Sequence, residues 1–114
     1  MSYVDGFLLP VPKKNLAAYK KMATVGKKMW LKAGALDYKE CVGDDLAPPW
    51  ALPFPKLMKL KKGEVPVFSF IVYKNRKHRD AVNKKVMASM GDMSKDMPFD
   101  MKRMAYGGFT VLVE

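Results

Sequence analysis

The stretch Val65-Pro66-Val67-Phe68-Ser69-Phe70-Ile71-Val72-Tyr73-Lys74-Asn75-Arg76-Lys77-His78 decides the fold. Its first nine residues are dense in β-branched and aromatic side chains, the composition of a strand. Asn75 then offers an N-cap, and the apolar period changes from two to about 3.6, with His78, Val82, Val86 and Met90 on one helical stripe. Upstream, Tyr3 to Val11 alternates, with Val4, Gly6 and Leu8 on one side and Tyr3, Asp5, Phe7 and Leu9 on the other. Pro10 and Pro12 are expected to end that ladder. Residues 13–33 place Leu16, Tyr19, Met22, Ala23, Met29, Trp30 and Ala33 at helical spacing, closed by Gly34. Ala35 to Val42 reads as a second strand ending in Gly43-Asp44-Asp45, and Met104 to Val113 as the last.

The order is β-α-β-β-α-β. The right-handed crossover rule turns it into an α+β, ferredoxin-like domain spanning residues 1–114, with a four-stranded antiparallel sheet and both helices on one face. The face the helices leave bare is expected to carry Tyr3, Phe7, Phe68 and Phe70, which need either another sheet or a stacked ligand over them. The Asp44–Glu64 connection is too long for a hairpin loop, and its Pro-rich part, residues 46–55, reads as a stiff extended arm. It serves as a lid or docking arm, or it packs Trp50 and Phe54 onto its own subunit.

The chain has 114 residues and a mass of 12.9 kDa, and 49% apolar residues suffice for one core, which excludes a disordered chain. One cysteine, Cys41, and one histidine, His78, exclude an intrachain disulfide and a Cys/His zinc cluster, so no metal site is expected. No apolar run is long enough for a membrane span and no leader pattern opens the chain, so a soluble cytoplasmic protein is expected. The net charge of +10 is concentrated: residues 13–32 hold seven lysines and no acid, and residues 56–85 hold ten cations against two acids. Such a field attracts anions, nucleic acid among them, although a solvated lysine face has the same composition. Hydrolase and nucleotide-kinase readings fall away, because no phosphate-binding glycine loop and no nucleophile with a triad is present.

Several residues are candidates for chemistry. His78, one turn into its helix, points from the apolar stripe toward the sheet, suited to proton transfer or to one hydrogen bond. Asp5 sits on a central strand, where it either pairs with a cation, Arg79, Arg103 or one of the many lysines, or keeps a raised pKa fit for general-base work. Ser69 and Tyr73 alternate onto the helix side, Tyr106 lies on the last strand, and Gly107-Gly108 leaves volume unfilled. Lys74 to Arg79 combines basic side chains with the free amides of a helix start. Met87, Met90, Met97, Met101 and Met104 offer thioethers to a soft metal, or an adaptable core. These features predict a small aromatic or acidic ligand beside His78, bound by Ser69, Tyr73, Arg79 and Tyr106, with His78 and Asp5 as catalytic candidates. An interaction module without a ligand is the plain alternative.

Two resemblances bear on this. Tyr3-Val4-Asp5-Gly6-Phe7 and Phe68-Ser69-Phe70 resemble the central strands of the RNA-recognition motif, whose alternate aromatics stack on unpaired bases; this implies, as an alternative function, single-stranded RNA binding through the aromatic sheet face, beside which the basic surface offers nonspecific nucleic-acid binding. Pro66-Val67 departs from that motif, which wants a basic residue and a glycine there. Over nearly the whole chain, the blocks Tyr3–Phe7, Glu40-Cys41-Val42-Gly43-Asp44-Asp45, Phe70–Tyr73 with His78-Arg79-Asp80-Ala81-Val82-Asn83, and Met97-Pro98-Phe99-Asp100 with Lys102–Phe109 resemble the YbaA-like family, a domain of unknown function. That resemblance implies the dimeric α/β-barrel superfamily, a homodimer joined through its sheet faces, and no assigned catalytic residues. The superfamily includes cofactor-free monooxygenases, isomerases, haem-degrading enzymes and regulatory ligand-binding domains. Haem is disfavoured and no cofactor is expected, because Asp5 and Phe68 or Phe70 stand where the haem-degrading members carry asparagine and tryptophan.

Overall fold

The computed structural model describes residues 1–90 and 97–114. Strands β1 (Tyr3–Pro12), β2 (Asp37–Val42), β3 (Glu64–Tyr73) and β4 (Ala105–Thr110) alternate with helices α1 (Leu16–Ala33), α2 (Phe54–Leu57) and α3 (Arg76–Met90). The architecture is α+β, with one open antiparallel sheet in the order β2-β3-β1-β4. Among the described residues no helix is long and apolar enough to cross a membrane.

Pro10 and Pro12 do not end the ladder, as their lack of an N–H suggested; β1 pairs with β3 through Pro10↔Pro66 and Pro12↔Glu64. The Lys13 N–H donates to the Gly63 carbonyl just beyond, which places odd-numbered β1 residues in the hydrogen-bonded pairs and both prolines in the non-bonded ones. No donor is missed there, since β4 ends opposite Leu8.

The register also corrects the expected faces. Tyr3 pairs with Tyr73, Asp5 with Ile71, and Phe7 with Ser69 on β3 and Tyr106 on β4. Residues paired across a sheet share a face, so Tyr3 and Phe7 lie under the helices with Ser69, Ile71 and Tyr73. Phe68 and Phe70 lie on the opposite face with Val4, Gly6, Leu8, Val72 and Phe109. The sequence reading combined two strands whose aromatic positions are out of phase, and a shift of one residue reverses every side chain.

Helix α1 buries Tyr19 and Ala23 and half-buries Met22, Met29 and Trp30, the stripe predicted for it. It ends in a left-handed Gly34 (φ 119°), with the Ala35 N–H donating to the Trp30 carbonyl. Helix α3 starts at the Asn75 cap, whose Oδ1 accepts from the His78 N–H at 2.8 Å, and it buries Val82 and Val86. The long connection is not wholly extended: Pro53 and Pro55 start the short α2. Trp50 stays 85% exposed, so the arm does not pack it onto its own subunit.

The glycine pair on β4 is not empty. A Cβ at Gly108 would meet the Tyr3 ring, with Cε2 and Cζ at 2.8 and 2.9 Å, while the Phe109 ring lies over Gly6 and Gly107 at 3.5 Å. Aromatic rings thus cover the bare backbone from both faces. Gly108→Ala is expected to lower the unfolding free energy by about 1–3 kcal/mol through overpacking against Tyr3. Gly107→Ala, meeting only ordinary contact, is expected to lower it by less. Equal denaturation midpoints for Gly108→Ala and wild type would contradict the packing described.

Candidate functional site

The helix face of the sheet carries two separate apolar clusters. One comprises Tyr3, Ala35, Tyr38, Ile71, Tyr73, Val82 and Val86; the other Leu9, Val11, Tyr19, Ala23 and Val67. Between them runs one row across all four strands, Tyr106–Phe7–Ser69–Glu40, set by direct pairing. Three of its four side chains are polar, so the core does not close over it. A cavity of about 650 Å³ stands above this row. Its walls are Tyr19, Met22, Met29 and Trp30 of α1 and Asn83, Met87 and Met90 of α3, and Met97, Phe99, Met101 and Met104 complete the lining.

At one end of the row, Asp5 is 1% exposed and its Oδ1 accepts from Arg79 Nη1 at 2.7 Å. The same Nη1 donates to the Tyr106 hydroxyl at 2.7 Å, and the guanidinium lies 5.0 Å from the centre of the Tyr3 ring. Asn83 Oδ1 accepts from Trp30 Nε1 at 3.0 Å and from the Tyr73 hydroxyl at 3.1 Å, while its Nδ2 reaches Asp5 Oδ2 at 3.5 Å. Of the two outcomes open for Asp5, the structure holds the ion-paired one.

At the other end, Glu40 accepts from the Tyr19 hydroxyl through Oε1 and from the Tyr38 hydroxyl through Oε2, both at 2.6 Å. Tyr38 and Glu40 share a face because they are two apart on β2. Gly26 allows α1 to settle close over this pair: a Cβ there would stand 3.1 Å from the Tyr38 hydroxyl. These residues were not singled out from the sequence, although the spacing of Tyr38 and Glu40 and the place of Tyr19 on the α1 stripe were visible in it. What the sequence lacked was the register that brings α1 over β2.

The residues singled out from the sequence divide. Asp5, Ser69 and Tyr106 line the cavity, and Arg79 and Tyr73 support it through Asp5 and Asn83. His78 does not line it. Its Nδ1 accepts the Lys74 N–H at 3.0 Å, and its Nε2 lies 3.5 Å from where a Gly34 Cβ would stand. The ring thus completes the cap of α3 and fills the gap beside the end of α1, because His78 turns toward that end while its neighbour Arg79 reaches the middle of the sheet. That position is also wrong for ligating a haem in the cavity. The methionines converge on the cavity as apolar lining.

The buried phenols make stability depend on pH. Burial, followed by the hydrogen bond to Glu40 and its charge, pushes Tyr19 and Tyr38 far above the ordinary phenol range; burial and the Asp5 charge do the same for Tyr73. A phenol whose pKa is raised on folding contributes stability that is intact below its unfolded pKa of about 10 and declines above it. Unfolding free energy is therefore expected to fall steeply above about pH 10. Tyrosinate absorbance from these three residues should appear only as the far-UV circular dichroism is lost, and Tyr19→Phe should flatten the alkaline decline. Reversible ionisation of all five tyrosines in the folded chain near their ordinary pKa would contradict this.

Comparison with known proteins agrees with the architecture. A family model described as a protein of unknown function (DUF1428) matches residues 2–101. The chain is 38% identical over 116 residues to the uncharacterized protein YbaA of Escherichia coli K12, covering 100% of this chain and 99% of the relative. The same identity and coverage hold for YbaA of Escherichia coli O157:H7 and of Shigella flexneri. Among solved structures, the de novo designed protein Foldit4 superposes with a TM-score of 0.50 at 10% identity, covering 97% of this chain and 99% of that one, a likeness of fold alone. By family match and by full-length identity to YbaA, this chain belongs to the DUF1428, or YbaA-like, family of unknown function.

Proposed function

We propose that this protein binds a compact, largely apolar small molecule in the cavity above the Tyr106–Phe7–Ser69–Glu40 row. The observation that carries the reading is the half-open cleft of about 650 Å³ between two closed core clusters, with a few polar groups converging on it. Ligand pockets fall in the range of about 300–1,000 Å³. Methionine walls suit an occupant of variable shape, since the thioether chain is flexible and polarizable. Of the two candidate proton carriers, Asp5 alone lines the cavity and it is already paired with Arg79, which favours binding over catalysis. Titration with Nile red, a neutral apolar dye, is expected to give a saturable blue-shifted emission with one site per chain. Ala23→Phe, which fills the cavity from α1, should weaken it at least tenfold with unchanged circular dichroism. Dye binding that is indifferent to Ala23→Phe would sink the reading.

The bare face of the sheet supports a second element of the proposal: two ferredoxin-like subunits joined face to face, as in the dimeric α/β barrels. Phe68 is 46% and Phe109 61% exposed there, beside half-buried Val4, Leu8, Phe70 and Val72. A flat apolar patch of this kind is self-complementary about a two-fold axis. With Tyr3 and Phe7 turned under the helices, half of the aromatic platform that a base-stacking reading relies on is absent from this face. Light scattering at micromolar concentration is expected to give twice the chain mass of 12.9 kDa. Phe68→Ser with Phe109→Ser should yield a folded monomer. A monomeric wild-type chain would overturn the pairing.

A further inference from the structure

Among the described residues, no cation lines the cavity of this strongly basic protein. Its described lining includes two carboxylates, those of Asp5 and Glu40, and no lysine, arginine or histidine. Asp5 is neutralised by Arg79. Glu40 has no such partner: among the described residues no cationic nitrogen comes within ion-pair distance of it. Lys20, Lys27 and Lys39 line a neighbouring groove that shares Tyr19, Ala23, Tyr38 and Glu40 with the cavity, and none of the three lies within ion-pair distance of the carboxylate.

The hydrogen-bond inventory around Glu40 is one-sided. Tyr19 and Tyr38 each have a single hydroxyl proton, and both protons are spent on Glu40. Toward the cavity these hydroxyls offer lone pairs only, and each Glu40 oxygen, having accepted one bond, retains capacity for another. Ser69 stands directly opposite Glu40 in the β2–β3 pairing; it is 5% exposed, lines the cavity, and its hydroxyl has no hydrogen-bond partner among the described residues. The end of the row at Glu40 is thus a cluster of acceptors, with one unused hydroxyl, around an uncompensated negative charge. Rings flank it: Trp30 lies 6.0 Å from Tyr38 and Phe99 lies 5.8 Å from Tyr19, centre to centre.

Resting on the cavity reading, we propose that the ligand is a hydrophobic primary amine bound as its ammonium, whose three N–H donors meet Glu40 and Ser69 while its apolar body lies among the methionines. A carboxylate ligand would face the Glu40 charge with no cation to receive it. This reverses the acidic ligand expected from the net charge: the surface field of +10 acts at long range and is screened within about 8 Å at physiological salt, whereas the lining acts at contact.

The test is isothermal calorimetry at neutral pH and physiological ionic strength with three molecules of one skeleton: tryptamine, tryptophol and indoleacetate. Tryptamine is expected to bind at least tenfold more tightly than tryptophol, and indoleacetate least. Glu40→Gln should bring the affinities of tryptamine and tryptophol together, with unchanged circular dichroism reporting that the variant is folded. Ser69→Ala should weaken tryptamine by a smaller factor. Tryptophol or indoleacetate binding as tightly as tryptamine, or a preference that survives Glu40→Gln, overturns the amine assignment and leaves the cavity reading standing. If none of the three binds and Nile red is not bound either, both fail together.

Discussion

The ion pair between Arg79 and Asp5 is the contact on which the arrangement depends. It lies almost fully out of water, with the Arg79 side chain 12% and Asp5 1% exposed, and it joins α3 to the centre of β1. Removing one member of such a pair strands the other charge, at a cost of about 3–5 kcal/mol. One guanidinium also reaches Tyr106 on β4 and covers Tyr3, while Asn83, one turn further along α3, ties Asp5 to Tyr73 and Trp30. Five elements therefore meet on one carboxylate, and α3 is held in a single position over the sheet.

That position leaves the cavity open. With α3 pinned at its N-terminal half, its later residues Met87 and Met90 stand over the polar row without covering it. Helix α1 is set over the other side by the Tyr19–Glu40–Tyr38 contact, and Gly26 permits the close approach at the usual cost of about 1 kcal/mol for a helical glycine. Two polar anchors, one at each end of the row, thus seat the two helices over the sheet. The same anchors give the two ends of the cavity different chemistry: a neutral ion pair beside Tyr106, and beside Ser69 a carboxylate with no cation in ion-pair distance among the described residues.

Much of this was legible in the sequence because it depends on local periodicity. The alternation of Tyr3 to Leu9, the stripe Tyr19–Ala23–Trp30 and the stripe Val82–Val86 state each element and its buried face, and βαββαβ order with the crossover rule leaves few topologies. The pairing of Asp5 with Arg79 was one of two outcomes open to a buried carboxylate in a basic chain. The sides on which Phe68 and Tyr3 lie relative to each other were not legible, since each strand shows its own alternation but not its phase against its neighbour. His78 likewise shares a stripe with Val82, but its place one turn from the helix start turns its ring to the cap.

Composition and period by themselves determined the α+β order of elements, the buried stripe of each main helix, and the strongly positive net charge. Only the tertiary structure decided that Tyr106, Phe7, Ser69 and Glu40 form one row, that this row stays uncovered, and that its charge is opposite in sign to the surface. The physical reason is range. Helical and strand periodicity is set by contacts within a few residues, whereas strand register and the seating of a helix depend on contacts between residues far apart in the chain, such as Tyr19 with Glu40 and Asp5 with Arg79.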